Sequence, residues 1–142
     1  MFRHWLAASA FVLLSFACGD AVAADNEDRK VGVWQAPEGL TQVPIWPGPV
    51  PGMEGAQQPP ESVLTVKTPE ALDGQTSQAV FNVTVPTMTV FPPKGINTGV
   101  AIVVFPGGGY KAVVVTLQGV EICNWLTSKG ITCVLSKYRV PK

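Results

Sequence analysis

Histidine is almost missing from this chain. The single one, His4, lies within the first five residues, so the remainder carries no imidazole to serve as a general base or zinc ligand. Cysteine is sparse: Cys18, Cys123 and Cys133, with no Cys-x-x-Cys spacing, which leaves no readable metal site. Charge is scarce as well. Only 14% of residues are charged, and ten basic residues against ten acidic ones give a formal net charge of zero. Without a Lys/Arg cluster, a nucleic-acid or acidic-lipid partner is not expected. No Gly-Lys-Ser/Thr follows a glycine loop, which removes a P-loop, and no cofactor is expected. A Gly-x-Ser-x-Gly elbow is missing too: Ser62, Ser77, Ser128 and Ser136 stand in other contexts.

What is present suits a folded domain, because 46% of residues are hydrophobic and the charge is low. The first residues have a separate purpose. Arg3 supplies a short basic region, Leu6 to Cys18 is an apolar run, and Ala21-Val22-Ala23-Ala24 offers cleavage before Ala24 or before Asp25. This reads as a Sec-type signal peptide, with a run too short to span a bilayer lastingly. Ser15-Phe16-Ala17 lacks the leucine that a lipobox would place before Cys18, so secretion or periplasmic export is preferred to lipidation. No membrane association is expected after cleavage. Removing residues 1–24 from 142 leaves 118, enough for one small domain. In an oxidising compartment Cys123 and Cys133 can pair, and two buried free thiols are the competing reading.

The remainder divides at residue 78. Residues 25–33 are polar and read as a tether. Trp34 to Glu61 carries Pro37, Pro44, Pro47, Pro49, Pro51, Pro59 and Pro60, so segment 25–77 is expected to be tether and extended coil. Ile45-Trp46-Pro47 is its apolar anchor. Residues 78–142 are where regular structure is expected. Gln78 to Phe91 alternates, with a break at Pro86-Thr87, which predicts strands over about 79–85 and 87–91. Asn82-Val83-Thr84 matches a glycosylation sequon but reads first as strand. Val100 to Phe105 is an unbroken apolar run, the pattern of a strand buried on both faces. A helix is expected to begin between Thr116 and Val120 and to run to Lys129, with Gly130 as its cap. Ile131 to Leu135 is a second apolar strand, and strand–helix–strand over this length predicts a parallel βαβ unit.

The apolar run empties into Pro106-Gly107-Gly108-Gly109-Tyr110. Bare glycines at a strand's carboxyl end let backbone N–H groups approach a ligand. Three readings compete. Gly107, Gly109 and Ala112 fit a dinucleotide fingerprint, yet Val113-Val114-Val115 follows where a helix should open. A tight turn without chemistry is the second reading. The third is an oxyanion hole, whose preorganised N–H donors meet developing negative charge in acyl transfer.

Pro86-Thr87-Met88-Thr89-Val90, VVFPGGGY, Gln118-Gly119, Trp125-Leu126 and Lys137-Tyr138-Arg139-Val140-Pro141 occur in order. This series resembles the N-terminal part of secreted α/β-hydrolases of the acetyl-xylan-esterase-like and feruloyl-esterase-like group, over about residues 43–141. The resemblance implies an α/β fold: the incomplete N-terminal half of an α/β-hydrolase, a β-hairpin leading into a parallel βαβ unit. It implies an oxyanion hole from the backbone N–H groups of Gly108, Gly109 and Tyr110, with Gly107 supporting. Thr116 and Gln118 depart from the pattern, since such proteins usually carry acidic residues there. The implied substrate is a carboxylic ester on plant polysaccharide, as in xylan deacetylation.

A serine hydrolase also needs a nucleophile, an acid and a base. None is readable, so the 142-residue chain is expected to be an inactive, aggregation-prone fragment of such an enzyme. A non-catalytic secreted carbohydrate-binding module, with Trp34, Trp46 and Tyr110 stacking on sugar, is the alternative. A dinucleotide-binding βαβ domain is the second.

Overall fold

The structure, a computed structural model, describes residues 28–55, 57–67 and 76–141. The expected signal peptide 1–24, its cleavage sites, His4 and Cys18 lie outside the described residues. Among the described residues, seven strands build two sheets. In the first, β1 (Arg29–Val31), β3 (Ser62–Lys67) and β4 (Thr76–Phe81) pair antiparallel in the order β1-β3-β4. In the second, β2 (Gln42–Pro44), β5 (Thr87–Phe91), β6 (Ala101–Val104) and β7 (Thr132–Lys137) lie in the order β2-β5-β7-β6. A π-helical turn, Thr116–Val120, continues directly into helix α1 (Glu121–Ser128).

This architecture corrects the expected fold class. Among the described residues helix makes up 13% and strand 32%, arranged as an antiparallel sheet and a mixed sheet rather than as an α/β half-hydrolase. Four of the five strand pairings are antiparallel; β6–β7 alone is parallel, with α1 between its strands. The expected hairpin is absent because β4 and β5 belong to different sheets. Asn82 takes a left-handed φ of 52° immediately after β4, which stops the strand and turns the chain toward the second sheet. The supposed tether and coil also contribute: β1, β2 and β3 all come from residues 25–77. Arg29 explains part of that, since its Nε donates to Ser62 Oγ at 2.9 Å and its guanidinium lies 4.0 Å from the Phe81 ring centroid. Such contacts hold a short polar strand that alternation alone does not announce.

The core lies between the sheets and under α1. Trp34, Val80, Val83, Phe91, Val113, Val115, Leu126 and Leu135 form one buried cluster with Cys123 and Cys133. Cys123, Leu126 and Thr127 are the buried residues of α1, the i, i+3, i+4 spacing of a single helix face. Gly130 ends the helical region at φ 76°, and a Cβ there would sit on the Ile96 carbonyl oxygen. A side chain at this cap would clash as well as strain the backbone. Cys123 on α1 is disulfide-bonded to Cys133 on β7, with Cα atoms 5.2 Å apart. Closing a loop with a sequence separation of 10 limits the unfolded chain by about 2.7 kcal/mol.

The two sheets are also joined by charge. Lys137 Nζ lies 2.7 Å from Glu61 Oε1, and each side chain is 1% exposed. The same oxygen accepts the Trp34 backbone N–H at 3.0 Å. Trp34 is therefore a core residue, 4% exposed, whose Nε1 donates to Gln78 Oε1 at 3.0 Å. Stacking on a sugar is closed to it.

The strand β6 differs from its sequence expectation. It lies at the edge of its sheet, and Ile102, Val103 and Phe105 are exposed instead of covered on both faces. An apolar run shows what a strand would bury, not whether neighbours are there to bury it. Val103 is 51% exposed, so Val103→Lys should change stability by less than about 0.5 kcal/mol. It should also raise the monomeric fraction in size-exclusion chromatography by charging the open edge. An unchanged or lower fraction would show that β6 does not drive self-association.

Candidate functional site

The glycine loop leaves β6 at Phe105, whose ring meets Tyr138 edge-on with centroids 5.9 Å apart. Pro106 is buried, and its carbonyl accepts the Tyr138 hydroxyl at 2.6 Å. The Gly107 N–H donates to Gln118 Oε1 at 2.9 Å, while the Gly107 carbonyl accepts the Val114 N–H at 2.9 Å. Val113 exchanges two hydrogen bonds with Val80 of β4, at 2.8 and 2.9 Å. The loop is thereby pinned at both ends and tied to each sheet.

Inside that frame, the Gly108 carbonyl accepts the Lys111 N–H at 3.1 Å and the Ala112 N–H at 3.3 Å. Gly109 and Tyr110 occupy the turn centre with φ of 60° and 59°. Two successive positive φ values match a type I′ turn. Glycine takes that conformation freely, whereas Tyr110 pays a strain of about 1–3 kcal/mol. The N–H groups of Gly108, Gly109 and Tyr110 engage no acceptor among the described residues. Gly108 is half-buried; Gly109 and Tyr110 face solvent. Three successive free donors on a pinned loop can accept an anion with little reorganisation. Gly107 differs because its donor is already taken.

Thr116 and Gln118, the two departures from the acidic pattern, both act as neutral acceptors. Thr116 Oγ1 accepts the Gln78 N–H at 3.0 Å, and Gln118 holds Gly107. An amide or hydroxyl oxygen fulfils the bonding role of a carboxylate while placing no negative charge beside the free N–H groups. The dinucleotide fingerprint has no helix opening within it: residues 107–114 close on themselves, and the π-helical turn starts at Thr116.

No serine is poised as a nucleophile among the described residues. Ser62 Oγ accepts from Arg29, Ser128 Oγ donates to the Trp125 carbonyl at 2.6 Å, and Ser77 and Ser136 are buried within strands. Among the described residues no group of three or more His, Cys, Asp or Glu could hold a metal ion, and no helix is long and apolar enough to cross a membrane.

Beside the loop opens a cleft of about 580 Å³. Tyr110 and Lys111 form its loop side, Asn82 and Val83 come from the turn after β4, and Arg139 follows β7. Sequence reasoning marked Tyr110 as a site residue but missed Asn82, Lys111 and Arg139. Asn82 was noted only within the Asn82-Val83-Thr84 sequon, and the tolerance of asparagine for a left-handed φ is the signal that could have marked it as a turn. The comparisons with known proteins find no matching family model, no matching curated protein and no matching solved structure.

Proposed function

We propose that this domain supplies the oxyanion-stabilising loop of a secreted carboxylic-ester hydrolase acting on plant polysaccharide esters, such as acetylated xylan. The observation that carries this reading is the run of free N–H groups at Gly108, Gly109 and Tyr110 on a loop pinned by Gln118, Tyr138 and Val80. Donors held ready for developing negative charge are worth about 3 kcal/mol each in acyl transfer. The likeness to acetyl-xylan-esterase-like and feruloyl-esterase-like proteins is proposed for the ordered motifs around this loop. Secretion is supported by the leader pattern and by the Cys123–Cys133 disulfide, a bond that persists in oxidising compartments. No residue of this chain is assigned as the nucleophile, acid or base of the reaction.

Phenylphosphonate, a tetrahedral anion, tests the loop directly. Its titration should shift the amide resonances of Gly108, Gly109 and Tyr110 and leave Gly107 in place, because Gln118 occupies that donor. Shifts at Gly107 alone, or none in the loop, would overturn the assignment. The purified chain should hydrolyse p-nitrophenyl acetate no faster than buffer. Turnover that requires one of its own serines would refute the division of roles.

A non-catalytic carbohydrate-binding module is a second reading, favoured by one observation: Tyr110, which lines the cleft, is 79% exposed. Retention on xylan without any phosphonate response at Gly108 and Gly109 would support it over the first.

A further inference from the structure

We infer that the cleft beside the glycine loop is a binding site for an acidic sugar, with its carboxylate between Lys111 and Arg139 and its ring against Tyr110. Among the described residues both cations line the cleft, no acidic residue does, and neither forms an ion pair. Uncompensated positive charge inside a concavity attracts an anion, and a guanidinium can grip a carboxylate through two parallel hydrogen bonds.

Backbone conformation points to the same place. Asn82 and Tyr110 are the only non-glycine residues with positive φ among the described residues, and both line this cleft. Strain of that kind persists where the surroundings impose it, and it gathers at binding sites. The supports for each cation are also fixed. The Lys111 backbone is held by the Gly108 carbonyl. Arg139 follows Tyr138, whose hydroxyl is bonded to Pro106, and Lys137, which is buried against Glu61.

The remaining chemistry favours a sugar over a bare anion. A volume of about 580 Å³ falls within the usual range for organic ligands and far exceeds a sulfate. Tyr110 offers an exposed aromatic face for a pyranose ring. Asn82 Nδ2 reaches the Pro60 carbonyl at 3.4 Å and Gln58 Nε2 reaches Met53 Sδ at 3.1 Å, so both amide oxygens remain available to sugar hydroxyls. Nothing in this arrangement requires the loop to stabilise an oxyanion, so it goes beyond the proposed ester chemistry.

Calorimetric titration of the purified chain with trigalacturonate and with its fully methyl-esterified form provides the test. The two share rings and linkages and differ in charge. The acid should bind about tenfold more tightly in low salt, with the advantage shrinking as salt is added. Arg139→Gln and Lys111→Gln should each remove most of that advantage, and Tyr110→Ala should weaken both forms by about threefold. These side chains are exposed, and an unchanged thermal midpoint would show that the variants fold. Equal binding of acid and ester, or full charge preference in Arg139→Gln, would overturn the proposal. So would equal binding of a short polyglutamate, which carries carboxylates without sugar rings. Phenylphosphonate shifts at Gly108 and Gly109 that persist in Arg139→Gln separate this site from the oxyanion loop, whichever of the two fails.

Discussion

Lys137→Met should destabilise the protein by about 3–5 kcal/mol in urea unfolding, because it leaves the Glu61 carboxylate buried without its countercharge. Glu61 Oε1 now receives the Lys137 ammonium and the Trp34 N–H, while Oε2 is buried with no partner among the described residues. The methyl-capped thioether of methionine fills much of the lysine stem's volume, so the loss comes mainly from charge. Adding Glu61→Leu to the same protein should recover part of the loss by removing the stranded carboxylate. Recovery is incomplete because the buried Trp34 N–H then lacks an acceptor, a cost of about 1–3 kcal/mol. The double variant should therefore lie between the single variant and the parent. The effect should hardly respond to salt, since buried pairs are poorly screened. A loss below about 1 kcal/mol for Lys137→Met would mean that the pair is hydrated and does not join the sheets.

Gly108→Ala should cost about 3 kcal/mol, while Gly109→Ala one position later should cost about 1 kcal/mol. The difference is spatial. A Cβ at Gly108 would overlap the carbonyl carbon and oxygen of Ala112 and approach Val113 N to 3.3 Å, all backbone atoms that cannot rotate away. A Cβ at Gly109 meets nothing within 4 Å and faces only its φ of 60°. To admit the methyl group, Gly108→Ala must open the turn that bonds its carbonyl to Lys111 and Ala112. The variant should therefore also lose the phenylphosphonate response at Gly109 and Tyr110, whereas Gly109→Ala keeps it. Urea denaturation together with amide shifts checks both halves. Equal destabilisation by the two substitutions would mean that the turn relaxes around the added methyl and is not the rigid frame described here.

Local features of the fold were legible because their causes are local. The alternation in Thr87–Phe91, the apolar run before Pro106 and the stretch ending at Lys129 mark two strands and a helix from neighbouring residues alone. The glycine loop was legible for the same reason, since a positive φ is a property of one residue and its side chain. Short strands such as Arg29–Val31 and Gln42–Pro44 were not, because three residues cannot establish a period and one of them is proline. Their existence depends on partners, Leu64 to Ser62 for the first and Thr89 to Thr87 for the second.

Residue identities alone thus mark where the chain turns, where it is apolar and where glycines leave the backbone bare. Long-range packing sends β4 and β5 into different sheets, leaves β6 as an exposed edge and buries Lys137. The same packing gathers Asn82, Tyr110, Lys111 and Arg139 around one cleft. The physical reason is common to all of these. Strand pairing, burial and charge compensation are relations between distant residues, 76 positions apart for Glu61 and Lys137, and side-chain identity sets only what each residue would cost or gain in such a relation.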